Sequence, residues 1–129
     1  MANLKYSRQR ASIMKFLAGR TDHPTAETIY ENLKIDHPHL SLGTVYRNLS
    51  LLTELGEIRK VPTDGGPDHF DSDLSPHYHF ICRCCRQVCD IRLPELDQLL
   101  NEHNDRIPGQ IDHCDINVYG ICDRCTFKA

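Results

Sequence analysis

Apolar positions in the first third of the chain fall three and four residues apart. Ile13, Phe16 and Leu17 form one such stripe, and Ala26, Ile29, Tyr30 and Leu33 form a second behind the start signal Pro24-Thr25. A third helix is expected to begin at Ser41, a good N-cap, to carry Leu42, Val45, Leu49, Leu52 and Leu55 on one stripe, and to stop at Gly56 in the C′ position. Its opposite face shows Gly43, Thr44, Tyr46, Arg47 and Ser50, which are small, hydrogen-bonding or cationic. Beyond it, residues 57–61 and 69–71 flank Asp64-Gly65-Gly66-Pro67, the pattern of two short strands joined by a turn. Three helices followed by a β-hairpin is the order of a winged helix, whose last helix before the wing enters the DNA major groove. The helix pattern alone fits a packing unit that binds nothing equally well.

The period then changes to two. Residues 77–82 and 88–91 read as strands, 94–104 as a helix burying Leu96, Leu99 and Leu100, and 116–119 as a closing strand. The chain is therefore expected to be α+β in two parts, a first domain over 1–71 and a second over 77–129. Residues 72–76, close to Pro67 and ending on Pro76, are the candidate hinge. No internal repeat or low-complexity tract interrupts this order.

Charge sharpens the division. The net charge of −3 argues against a nucleic-acid binder until it is split along the 129 residues. Residues 1–60 carry nine Lys/Arg against six Asp/Glu, and the remainder six against twelve. The front half suits phosphate and the back half suits cations. Residues 1–10 contain no apolar signal-peptide core, and no apolar run approaches the roughly 20 residues that span a bilayer. A soluble cytoplasmic protein that makes no membrane contact is expected. Seven cysteines in such a compartment hold metal more often than they form disulfides.

Cys82-x-x-Cys85 and Cys122-x-x-Cys125 carry the strongest chemistry. Two residues between thiols let both sulfurs face one ion, and two such turns complete the tetrahedron that Zn2+ prefers. With residues 86–121 between them, the site ties distant segments together, and its lack of an open position makes it structural. Cys84 competes with Cys85 as a ligand, whereas Cys89 and Cys114 read as small buried hydrophobes. His77-x-His79 is a second candidate: residues two apart on a strand share a face, so both imidazoles can reach one ion. Alone the pair reads as a surface accident more often than as a site, but Asp71 and Asp90 are candidate carboxylate partners. Mixed imidazole and carboxylate ligation suits Fe(II), Mn(II) or Zn(II) and selects differently from four thiolates.

The stretches His23-Pro24-Thr25-Ala26-Glu27-Thr28-Ile29-Tyr30, Ser41-Leu42-Gly43-Thr44-Val45-Tyr46-Arg47-Asn48-Leu49, His69-Phe70-Asp71, His77-Tyr78-His79-Phe80-Ile81-Cys82 and Tyr119-Gly120-Ile121-Cys122 resemble the ferric uptake regulator (Fur) family, in that order and nearly end to end. Within the family the resemblance is nearest to its peroxide-responsive branch. It implies a winged-helix DNA-binding domain followed by a small α/β dimerisation domain, and a homodimer on a near-palindromic, A·T-rich DNA operator. It implies regulatory Fe2+ or Mn2+ ligands at His23, Asp71, His77, His79 and Asp90, and structural Zn2+ at Cys82, Cys85, Cys122 and Cys125. His23 enters only through the resemblance, since by itself it reads as a loop histidine before a proline. Asp90, where iron-uptake regulators place Glu, marks the peroxide branch. Pro76, Tyr78 and Cys114 stand at or near positions of those regulators' extra metal site. The chain departs from the pattern in starting close to its first helix and in carrying His69 where Arg is common before Phe-Asp.

The mechanism implied is repression with metal bound, and release when iron and peroxide oxidise the ligand His23 or His77. DNA contacts are expected from Ser41, Gly43, Thr44, Tyr46, Arg47 and Ser50. Three rival readings compete: an iron- or zinc-uptake repressor that senses metal supply, a small metalloenzyme at the His/Asp set, and a thiol redox protein using Cys84, Cys89 and Cys114. The metalloenzyme lacks an evident general base.

Overall fold

A computed structural model describes residues 4–126; residues 1–3 and 127–129, which the expected domains include, lie outside the described residues. The chain forms two compact units, divided between Leu74 and Ser75. In the first, helices α1 (Leu4–Leu17), α2 (Ala26–Leu33) and α3 (Leu42–Glu54) precede strands β1 (Arg59–Val61) and β2 (His69–Asp71). The strands pair antiparallel, with Lys60 opposite Phe70.

The starts of α2 and α3 and the end of α3 have local causes. Thr25 caps α2 by accepting the Thr28 N–H at 3.3 Å, and Ser41 caps α3 by accepting the Thr44 N–H at 3.1 Å. At the far end of α3, Gly56 takes φ +74. Its N–H and that of Glu57 turn back onto the carbonyls of Thr53 and Leu52, closing the helix with a left-handed residue that costs glycine little. The stripes of the three helices meet at Ile13, Leu17, Ala26, Ile29, Val45, Leu49 and Leu52, joined by Leu40, Ile58 and Phe70. Burying one such Leu or Ile stabilises by about 1.5–3 kcal/mol before chain entropy is counted. Leu55, expected on the buried stripe, is instead 60% exposed. It is the C-cap of α3, where the helix has already turned away from the core.

The second unit contains β3 (Tyr78–Cys82), β4 (Val88–Ile91), α4 (Pro94–Glu102), a 3-10 turn at Asn104–Arg106, β5 (Asn117–Gly120) and a short α5 (Asp123–Thr126). The central strand β3 is flanked by β4, antiparallel, and by β5, parallel. Among its described residues only Tyr78, Ile81, Cys82 and Val88 are buried and apolar. Leu99, expected in the core, is 51% exposed, and no residue of α4 is buried. The apolar face of α4 is thus only partly covered within its own unit, with Leu96 and Leu100 half-buried and Leu99 exposed. No described helix is long and apolar enough to cross a membrane.

Candidate metal centres

The four-cysteine site is built where β3 ends. After Cys82 the chain turns tightly, with the Arg86 N–H returned to the Cys82 carbonyl at 2.9 Å, and this brings Cys85 back toward Cys82. On the other side β5 runs parallel to β3 with Gly120 opposite Cys82, so the strand delivers Cys122 to the same end. A Cβ at Gly120 would lie 3.1 Å from the Phe80 ring, a tight contact that the ring would have to relieve by shifting a few tenths of an ångström. One turn of α5 then returns Cys125, with the Thr126 N–H on the Cys122 carbonyl at 2.9 Å. The four sulfurs of Cys82, Cys85, Cys122 and Cys125 lie within 4.8 Å of one another.

These distances discriminate between chemistries. Cys85 and Cys122 Sγ are 3.8 Å apart, and all seven cysteines are free. A disulfide needs about 2.05 Å. Tetrahedral thiolates at the usual Zn–S distance of about 2.3 Å sit about 3.8 Å apart along each edge. The N–H groups of Cys85 and Cys122 point at Cys82 Sγ from 3.4 and 3.3 Å. They favour its thiolate, Cys85 more than Cys122, and draw the Cys82 thiol down to about 6. Cys125 is pushed up, first by its hydrogen bond with Cys122 and then by burial. The quartet therefore fits zinc, and Cys85 rather than Cys84 completes it.

The His/Asp residues fall into two groups, one in each unit. In the first, His23 occupies the α1–α2 loop with φ +49, a left-handed conformation that costs a non-glycine residue about 1–2 kcal/mol. The wing strand holds it there. His69 donates from ring Nδ1 to the His23 carbonyl at 2.5 Å, the Phe70 N–H donates to the Pro24 carbonyl at 3.0 Å, and Thr25 bridges to His69. With the loop laid along β2, Asp71 Oδ2 comes to 3.4 Å from His23 Nε2. Asp71 is oriented by accepting the Asp73 N–H at 2.9 Å. His69, where the family commonly has Arg, thus positions the His23 backbone, a role its sequence position did not reveal.

In the second unit Asp90 on β4 lies opposite His79 on β3. Its Oδ1 is 3.4 Å from His77 Nε2 and 3.6 Å from His79 Nε2, with the two rings edge to face at 4.8 Å. His77 donates from Nδ1 to the Ser75 carbonyl at 2.8 Å, which fixes the tautomer that leaves Nε2 as a donor atom for metal. In both groups the nitrogen–oxygen separations exceed an ordinary hydrogen bond and match the edge, about 3.4 Å, of a tetrahedral site with bonds near 2.1 Å. His23, Asp71, His77 and His79 are buried, so a dication would complete charges held away from water.

On α3, Gly43, Tyr46, Arg47 and Ser50 are exposed beside the cap Ser41. Thr44 departs from the expected contact face, being only 7% exposed. Its hydroxyl meets Ser41 Oγ at 2.9 Å and accepts from Arg47 Nη2 at 3.0 Å, so it braces two candidate contact residues. Two residues not singled out from the sequence support the helix. Asn48 donates to the Thr44 carbonyl at 3.0 Å and accepts from Arg10 on α1 at 3.2 Å. Glu27 on α2 accepts the Tyr46 hydroxyl at 2.8 Å, which raises that phenol's pKa.

The model of the "Ferric uptake regulator family" matches residues 1–119. The chain belongs to the Fur family. The matched range ends before Cys122, so the second half of the thiol quartet stands on its own geometry. The peroxide-responsive repressor PerR of Staphylococcus saprophyticus is 33% identical over 120 residues, covering 93% of this chain and 81% of that protein. The PerR of Staphylococcus aureus strain Mu50 is 29% identical over 127 residues, covering 98% and 86%. Among solved structures, the Campylobacter jejuni peroxide stress regulator superposes with a TM-score of 0.82 at 26% identity, covering 95% of this chain and 92% of its own. The Helicobacter pylori ferric uptake regulator Fur gives 0.82 at 22%, covering 92% and 82%, a likeness of fold. The Fur-family chain is accordingly a metal-responsive regulator of transcription, and its relatives are regulators rather than enzymes.

Proposed function

We propose that this Fur-family protein is a metal-dependent DNA-binding repressor that senses peroxide through oxidation of a metal-ligand histidine. One observation carries the reading: metal-ligand side chains are pre-arranged in both units, His23 with Asp71 in the helical unit and His77, His79 and Asp90 in the sheet unit. In the proposed holo form all five hold one Fe(II) or Mn(II), while Cys82, Cys85, Cys122 and Cys125 hold structural zinc. The two aspartates balance the dication and the imidazoles set its donor geometry. Because the ligands belong to both units, their joint engagement fixes the angle at which α3 is presented, and a coupling of about 1–3 kcal/mol to DNA affinity suffices for a switch.

Fe(II) held by these residues would supply the redox chemistry that activates hydrogen peroxide. One peroxide oxygen would then end on the ring of His23 or His77, the other would leave as water, and the oxidised ring would be a poorer ligand. His23 then no longer ties its loop to the sheet unit, and repression lifts. The relatives named as peroxide-responsive repressors and Asp90 in the ligand set support this version over metal-supply sensing. DNA contacts are assigned to Ser41, Gly43, Tyr46, Arg47 and Ser50, with Thr44 as their brace, on a near-palindromic, A·T-rich operator in the cytoplasm. A homodimer supplies the second α3, and exposed Leu93, Leu99, Ile111, Val118 and Ile121 of the sheet unit are the apolar surface a second copy would cover.

The test is operator binding by anaerobically purified protein loaded with Fe(II) or Mn(II), before and after peroxide. The iron form should lose binding as His23 or His77 peptides gain an oxygen atom, and the manganese form should keep both binding and mass. Lost binding with unaltered histidine peptides overturns the mechanism. Metal-dependent binding indifferent to peroxide would favour an iron- or zinc-uptake repressor.

A further inference from the structure

Tyr46 stands on the exposed face of α3, one helical turn from Gly43 on one side and from Ser50 on the other. It is 41% exposed, and its hydroxyl donates to Glu27 Oε1 of α2 at 2.8 Å. Both ends of that bond are anchored by buried neighbours, Ala26 beside Glu27 and Val45 beside Tyr46, in the core that joins the two helices. A phenol has one proton to give and lone pairs with which to accept, whereas an ionised carboxylate only accepts. The donor of Tyr46 is therefore taken up inside the protein. What its oxygen offers outward is acceptor capacity, strengthened by the negative charge behind the bond. The hydrogen bond, then burial, then the charges of Glu27 and Asp68 raise the phenol's pKa, so the proton stays on the oxygen. Arg47, the next residue, has only donors, one of them on Thr44 Oγ1 at 3.0 Å. The two neighbours thus present opposite hydrogen-bonding characters.

We propose that Glu27 is a positioning residue that fixes what Tyr46 reads in DNA: the phenol enters the major groove as an acceptor and selects a base with an exocyclic amino group, adenine N6 or cytosine N4. The remaining polar groups on that edge, guanine O6 and N7, adenine N7 and thymine O4, are themselves acceptors and would face the phenol oxygen with no proton between them. A tyrosine free of Glu27 would turn its O–H to meet either kind of group. The carboxylate therefore converts a permissive contact into a selective one, by setting an unpaired acceptor against the wrong base. It also holds the ring in one orientation before DNA arrives, which removes an ordering cost from binding. The inference rests on the proposed role of α3 as the DNA-contacting helix and deepens it.

The probe is a library of random-sequence duplexes selected by the full chain carrying zinc and Mn(II). The selected duplex is then rebuilt with single adenines replaced by purine, or single cytosines by 2-pyrimidinone, so that one amino group at a time is missing. For the parent, loss of one such group in each half-site should weaken binding about fivefold, and the base concerned tells adenine from cytosine. Tyr46→Phe and Glu27→Ala should bind that duplex and the unaltered one within about twofold of each other. Glu27→Ala should also accept guanine or thymine at the position. Glu27→Gln, whose side-chain carbonyl still accepts the phenol proton, should keep the parent's penalty and base preference. Zinc content and melting temperature close to the parent's establish that each variant is folded. Tighter binding by both Glu27 variants with every base preference unchanged would mean that the carboxylate only repels phosphate, and would overturn the proposal. An amino-group penalty that survives in Tyr46→Phe would overturn it as well. Selection of no sequence by the parent would instead overturn the DNA-binding reading itself, and this inference with it.

Discussion

Two of the described residues hold left-handed backbone without being glycine, and they call for opposite treatment. Arg86 at φ +65 closes the turn behind Cys82, where its N–H rather than its side chain makes the closure. Arg86→Gly should stabilise the zinc-loaded protein by about 0.5–1 kcal/mol, read as a higher melting temperature, because relief of the Cβ clash exceeds glycine's entropy cost. An unchanged or lower melting temperature would show that the Arg side chain compensates the strain. His23 at φ +49 keeps its conformation because His69 and β2 grip its loop. His69→Ala should therefore weaken Mn(II) binding about tenfold while leaving zinc content intact, as loss of an outer partner typically does. Equal Mn(II) affinity in a titration would remove His69 from the site. The Cys-x-x-Cys pairs and His77-x-His79 were legible because their spacing alone turns donors to one side. His69 was not, since nothing local says which carbonyl a histidine 46 residues away will meet.

Elements show the same division between local and distant causes. The helix stripes and caps were readable because a 3.6-residue period and one hydroxyl determine them over a single turn. Ser41→Ala should lower stability by about 1 kcal/mol through loss of the α3 cap, and weaken operator binding with it, since Thr44 and Arg47 hang from the same cap. Thermal melts beside operator titrations check both effects, and weakened stability with unaltered DNA affinity would separate the cap from the contact face. The α4 stripe was read correctly as a helix but wrongly as core. Leu99→Glu should leave the fold and zinc intact and convert the proposed dimer to monomers in analytical ultracentrifugation. A dimer that persists places the interface elsewhere.

At the scale of the molecule the two units differ in what holds them. The helical unit closes around Ile13, Leu17, Ile29, Leu49 and Leu52, whereas the sheet unit buries four apolar residues among those described and depends on its thiol quartet. Structural zinc in small domains contributes about 10–16 kcal/mol at neutral pH. Chelation under reducing conditions should therefore abolish the strand signal and operator binding while much of the helical signal survives in circular dichroism. Full retention of the sheet without zinc would overturn this view. The order of elements, the two Cys-x-x-Cys pairs and the change from a basic to an acidic half follow from the sequence alone, because period, spacing and charge are properties of neighbours along the chain. The choice of Cys85 over Cys84, the inward turn of Thr44 and the anchoring of His23 by His69 were decided only by tertiary structure. Each depends on which distant backbone lies alongside, and that is settled by packing rather than by any local preference.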